Sequence, residues 1–150
     1  MNTTRKPLPS GVVVVLVTAV LLAVPASFSS TGGEVRATTD RLLAWLSGGP
    51  GDLPSGVLPE RGTVQFGLRT LGSARSAVGP GQAQAVLGDL RDVLKRHRIT
   101  TESVDVRESS WAWVRVRATD PEGRVIAVVL LAFHAEDGGW VLRELREASP

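Results

Sequence analysis

At Thr101 the hydrophobic rhythm of this chain switches from a period of 3.6 residues to a period of two, and no other feature limits its fold as strongly. Before the switch, Val35, Thr39, Leu42, Leu43 and Leu46 recur at helical spacing within Glu34 to Ser47, and Gly48-Gly49-Pro50-Gly51 stops that helix. A second helix is predicted over Gln82 to Arg98. Its stripe is Ala83, Val86, Leu87, Leu90 and Leu94, and Lys95 to Arg98 place cations at the negative end of the helix dipole. After the switch come four strands: Ser103 to Glu108, Ser110 to Thr119, Arg124 to Ala135 and Gly139 to Arg146. Asp120-Pro121-Glu122-Gly123 and Glu136-Asp137-Gly138-Gly139 have the turn chemistry that joins antiparallel neighbours. Helices first and a meander afterwards predict an α+β domain, with two or three helices on one face of a curved four-stranded antiparallel sheet.

Between the two helices the pattern is weaker. Asp52 to Gly62 reads as an irregular loop with room for one helical turn, since Pro54, Gly56 and Pro59 interrupt it. In Thr63 to Val78, Val64, Phe66 and Leu68 alternate as in a strand, while Leu68, Leu71 and Arg75 keep helical spacing. The segment is assigned as a third helix.

Parity divides the meander into two faces. Setting Thr119 opposite Arg124 and Ala135 opposite Trp140 gathers Ala112, Val114, Val116, Ala127, Val129, Leu131, Phe133, Trp140 and Leu142 on the side that receives the helices. The opposite side carries Trp111, Trp113, Arg115 and Arg117 beside Ile126, Val128, Leu130, Ala132 and His134, then Val141, Arg143 and Leu145. The strand Arg124 to Ala135 is thus apolar on both faces, which a sheet wetted on one side does not need. Tryptophan and arginine on one apolar patch have the composition of an interface core, so this face is expected to be covered, by a partner or a second copy or else by the segment Thr63 to Val78 folding back over it.

The first 33 residues stand apart. From Pro7 to Gly33 there is no charge, and Val12 to Val24 is apolar except for Thr18, behind Arg5 and Lys6. These are the parts of a secretory signal, with small-residue cleavage sites before Ser27 or before Ser30. Extended over Gly11 to Phe28, the same stretch is about 27 Å of helix, long enough for a single membrane anchor with its N-terminus inside. Either way residues 34–150 are exported, to the outer side of the membrane or into the medium.

The net charge of +2 resides in that leader, because Arg5 and Lys6 are its only ionic groups and the rest of the chain balances fifteen bases against fifteen acids. A nucleic-acid partner needs a concentrated basic surface and is not expected. The chain has no cysteine, two histidines and no tyrosine. This excludes disulfide, thiolate-metal and thiol chemistry and leaves little for acid–base work. No phosphate loop, nucleophile elbow, dinucleotide fingerprint or calcium-loop spacing occurs, so no cofactor or metal is expected. One acid is placed by parity on the helix-facing side: Glu144, opposite Leu131, is the candidate for an interior pocket, where burial would raise its pKa. No hydrogen-bond donor is placed to work with it.

A helix containing RLLAWL, a Gly/Pro-rich loop, a second long helix and then WAWVRVRAT, DPEG and RVIAVVLLAFHAEDGGWVLRELRE resembles the NTF2-like (SnoaL-like, cystatin-related) superfamily over about Glu34 to Ala148. That resemblance implies helices closing a cone against a bent sheet, a pocket between the layers and frequent dimerisation through the open sheet face. It implies use either as an enzyme of the isomerase or cyclase kind or as a non-catalytic accessory domain. The expectation is an exported, envelope-associated accessory domain that binds through the sheet face. The alternative is a small-molecule binder or isomerase using the interior pocket.

Overall fold

In the computed structural model, residues 31–69, 78–108 and 110–148 are described. The apolar stretch Val12 to Val24 lies outside them. Among the described residues no helix is long and apolar enough to cross a membrane.

Helix α1, over residues 31–46, buries the predicted stripe of Val35, Thr39, Leu42, Leu43 and Leu46 and adds Thr38 and Trp45. Its end is a Schellman motif. Gly48 has φ of +91°, a left-handed conformation that favours glycine, which lets the amides of Gly49 and Gly48 turn back onto the carbonyls of Ala44 and Trp45. The chain then runs irregularly to Thr63, with Val57 fully buried and its carbonyl accepting from the amide of Leu142 at 2.7 Å.

The segment assigned as a third helix is a strand where it is described. Residues Gln65–Gly67 form β1, and Val64 bridges to Val78 on the way into the next helix. The alternation of Val64, Phe66 and Leu68 decides the structure, because all three are buried and a strand sends them to one side. The rest of that segment, including Leu71 and Arg75, lies outside the described residues.

Helix α2 spans Pro80–Leu94 and starts with proline at its first position, where the missing amide costs nothing. It ends one turn earlier than the sequence pattern suggests. Lys95 is the C-cap and Arg98 already opens the first meander strand, so the basic cluster is a connector rather than a helical turn.

The meander comprises β2 (Arg98–Arg107), β3 (Trp111–Thr119), β4 (Val125–Glu136) and β5 (Gly139–Glu147). With β1 pairing parallel to β5, the sheet has five strands rather than four, in the order β1-β5-β4-β3-β2. The β4–β5 turn is the two-residue kind expected of Asp-Gly, with Asp137 at φ 45° and Gly138 at φ 80°.

Each antiparallel ladder contains one extra residue: Glu102 between β2 and β3, Ile126 between β3 and β4, and Arg143 between β4 and β5. Such bulges bend a sheet and tighten its twist. The turn pairs Thr119 with Val125 instead of Arg124 and the second bulge adds one more residue, so the β3–β4 register differs by two from the predicted one: Val116 faces Val129 and Ala112 faces Phe133, and the faces are kept. The third exchanges faces, as the site below shows. The concave side packs Val114, Val116, Leu131, Phe133 and Leu142 against the helix stripes. At about 1.5–3 kcal/mol for each large apolar side chain taken fully out of water, this layer is the main source of the fold's stability.

Candidate functional site

Two places were open to function from the sequence: the space between helices and sheet, and the outer sheet face. The first is nearly filled. Its cavity is about 20 Å³, room for about one water, and its lining is wholly apolar, including Leu43, Leu68, Leu90, Ile99 and Val116.

Glu144 does not line it. Because Arg143 is the extra residue of the β5 bulge, Glu144 pairs with Ala132 and Leu145 pairs with Leu131. Strict alternation put Glu144 inside and Leu145 outside; the bulge reverses both. Leu145 is 3% exposed in the core. Glu144 instead lines a cleft on the outer face, of about 350 Å³, with Arg107, Glu108, Trp111 and Trp113.

The residues lining that cleft come from the end of β2 and the turn after it, from β3 and, across β4, from β5. Trp111 and Trp113 are two residues apart on β3 and therefore project to the same side, with ring centroids 6.4 Å apart and planes within 19°. Across the ladder from Trp111 stands His134, its ring centroid 4.7 Å away. The guanidinium of Arg146 lies over Trp113 at 5.4 Å, a cation–π distance. Arg107 and Asp105 of β2 face Trp111 and Trp113, and they pair with each other at 2.8 Å.

The remainder of the outer face is less bare than the sequence suggests. Arg117 stands opposite Val128, and Leu130 lies between Arg115 and Arg146 on the two flanking strands. Arginine stems beside apolar side chains shield them while the charged heads reach water. Val128, Ala132 and Val141 are accordingly buried, and Leu130 and the bulge residue Ile126 are half-buried. Glu102, set outward by its own bulge, accepts from Arg115 at 3.0 Å and pairs with Arg117. Of the large apolar side chains on this face, Trp111 is left 37% exposed and Val125 49%.

Beyond His134 the network continues to the hairpin. Glu136 accepts from Arg143 at 2.8 Å and lies 3.1 Å from Nδ1 of His134. Arg143 also donates to the carbonyls of Arg61 and Thr63, pinning the irregular loop to the sheet edge. Partial burial works against the Glu136 charge, but the hydrogen bonds and charges of Arg143 and His134 outweigh it and hold the carboxyl below its ordinary value.

Sequence reasoning therefore places Trp111, Trp113, Arg115, Arg117, Val128 and Leu130 on the correct face. It misses Arg146 and Glu144 as members of the cleft, because both lie past a bulge that no residue type announces. Arg107 and Asp105 were legible in principle from the alternation of β2, whereas Glu108 was not, because it lies in the turn after that strand with φ 53°.

No family model matches this chain, and no curated protein matches it. Solved structures do. An NTF2-like protein with a cystatin-like fold from Novosphingobium aromaticivorans superposes with a TM-score of 0.57 at 18% identity, covering 85% of this chain and 86% of that one. A protein from Catenulispora acidiphila gives 0.54 at 15% identity, with 81% and 93% covered. A chain designated Rd1NTF2_05 gives 0.52 at 16% identity, with 76% and 96% covered. Two helices packed on a bent five-stranded sheet, together with these superpositions, make this an NTF2-like α+β fold.

Proposed function

We propose that this chain is an exported, envelope-associated accessory domain that acts by binding a protein partner or a second copy of itself, without catalysis. Residues 1–33 serve as a secretory signal or a single membrane anchor, and the outer sheet face serves as the binding surface, centred on Trp111 and Trp113 and extending over Arg115, Arg117, Ile126, Val128 and Leu130. The supporting observation is the contrast between the tryptophan face and the interior. The cleft over the two tryptophans measures about 350 Å³ and holds a partly exposed indole, whereas the interior cavity measures about 20 Å³. Aromatic anchors flanked by arginine are the residue types that carry most interface energy. The small-molecule reading needs an interior space that this core fills.

The test is association of the full chain in a mild non-ionic detergent, followed by sedimentation and by chemical cross-linking in the native envelope. Wild type should self-associate or cross-link to a partner, and the double variant W111A/W113A should lose that association while still folding. A wild type that is monomeric at tens of micromolar and recovers nothing on cross-linking would remove the support for this reading.

A further inference from the structure

We infer that the cleft over Trp111 and Trp113 receives a cationic side chain, an arginine or lysine carried on an extended segment of a partner protein. The inference rests on the binding reading above and names the chemistry of the partner.

One wall of the cleft already holds a cation: the Arg146 guanidinium is 5.4 Å from the centre of the Trp113 ring. Trp111 is the next ring in that series and is 37% exposed. The exposed part of that indole attracts a second cation by the same quadrupole interaction.

The charges around the cleft favour a cation over an anion. Two arginines border the cleft: Arg107, which Asp105 neutralises at 2.8 Å, and Arg146 over Trp113. The two acids are less compensated. Glu144 meets Arg146 only at 3.7 Å, and Glu108 is exposed and makes no ion pair among the described residues. Glu108 is also held in a left-handed conformation, φ 53°, by the tight turn between β2 and β3, which keeps it at the cleft rim. A guest lying on Trp111 thus meets an aromatic surface with Glu108 and Glu144 at the rim. A neutral sugar would use the indole but has no need of those carboxylates. An acidic segment would be repelled by them.

The probe is a fluorescein-labelled peptide, acetyl-Gly-Arg-Gly-Arg-Gly amide, titrated with the full chain in detergent and followed by anisotropy. Its analogue with citrulline in place of arginine keeps the shape and removes the charge. The arginine peptide should bind, the citrulline peptide should bind about two- to fivefold more weakly, and Trp111→Ala should weaken the arginine peptide by a similar factor. Glu144→Gln should weaken it several-fold and reduce its salt dependence. Both side chains are on the surface, and circular dichroism with melting curves confirms that the variants fold. Equal binding of the arginine and citrulline peptides, no binding of the arginine peptide, or Trp111-dependent binding of an N-acetylglucosamine tetramer instead would overturn the inference. If any of these occurs while W111A/W113A still abolishes association in sedimentation or cross-linking, the binding reading stands without its cation. If association is absent as well, both fall.

Discussion

Arg91 of α2 joins the end of α1 to the second helix through three separate interactions. Its Nε donates to the Trp45 carbonyl at 3.0 Å, its terminal nitrogen donates to the Gly49 carbonyl at 2.6 Å, and its guanidinium lies 4.9 Å from the centre of the Trp45 ring. The two carbonyls lie at the helix end, where the Trp45 carbonyl also accepts from the Gly48 amide and the dipole is negative. Arg91→Ala should cost about 1.5–3 kcal/mol in urea denaturation, and Arg91→Lys should recover only part of it because an ammonium cannot donate in a fork. Glu136 gives a different signature. Its pKa is depressed in the folded state below the ordinary 4.5, so its contribution is complete above that value and is lost as pH falls through the folded value. Melting temperature measured from about pH 6 down to about pH 3 should fall less steeply for Glu136→Gln than for wild type, and equal slopes would show that Arg143 and His134 give the carboxylate no net advantage.

At the scale of elements, the bulge of β5 makes an unusual pair of neighbours. Leu145→Ala should cost about 2–5 kcal/mol, because it opens a cavity beside Phe66 and Leu131, whereas Glu144→Ala should stay within about 0.5 kcal/mol. Strict alternation along the strand predicts the opposite order, so guanidinium denaturation of the two variants tests the bulge directly. The helix stripes, the two meander turns and the sidedness of β3 were legible from sequence because each rests on periodicity or on turn residues. The bulges were not. An extra residue such as Glu102, Ile126 or Arg143 leaves no local mark, since its consequence appears only in what the neighbouring strand pairs with. The short strand β1 was misread for a related reason. Three residues support no periodicity test, and Phe66 is ordered by Leu145, far along the chain.

At the scale of the whole molecule, β2 forms an open edge of the sheet along ten residues, while the other edge is the three-residue β1. The exposed edge bears Arg98, Glu102, Asp105 and Arg107 and is interrupted by a bulge, devices that discourage uncontrolled strand pairing. Association is therefore expected through the face with its tryptophans, not through this rim. Export, as proposed, predicts that a phosphatase active only outside the cytoplasm regains activity when fused after Pro150, and an inactive fusion made at normal levels would contradict it.

The pairing of β1 with β5 and the bond from Leu142 to Val57 tie an early part of the polypeptide to a late one. While a ribosome is still making the last hairpin, Phe66 and Val57 both lack their β5 partners, and long-range pairing of this kind is slow even once complete. Were the chain exported as proposed, what reaches the translocation channel would still be a thread, able to pass through a pore that would stop the finished domain.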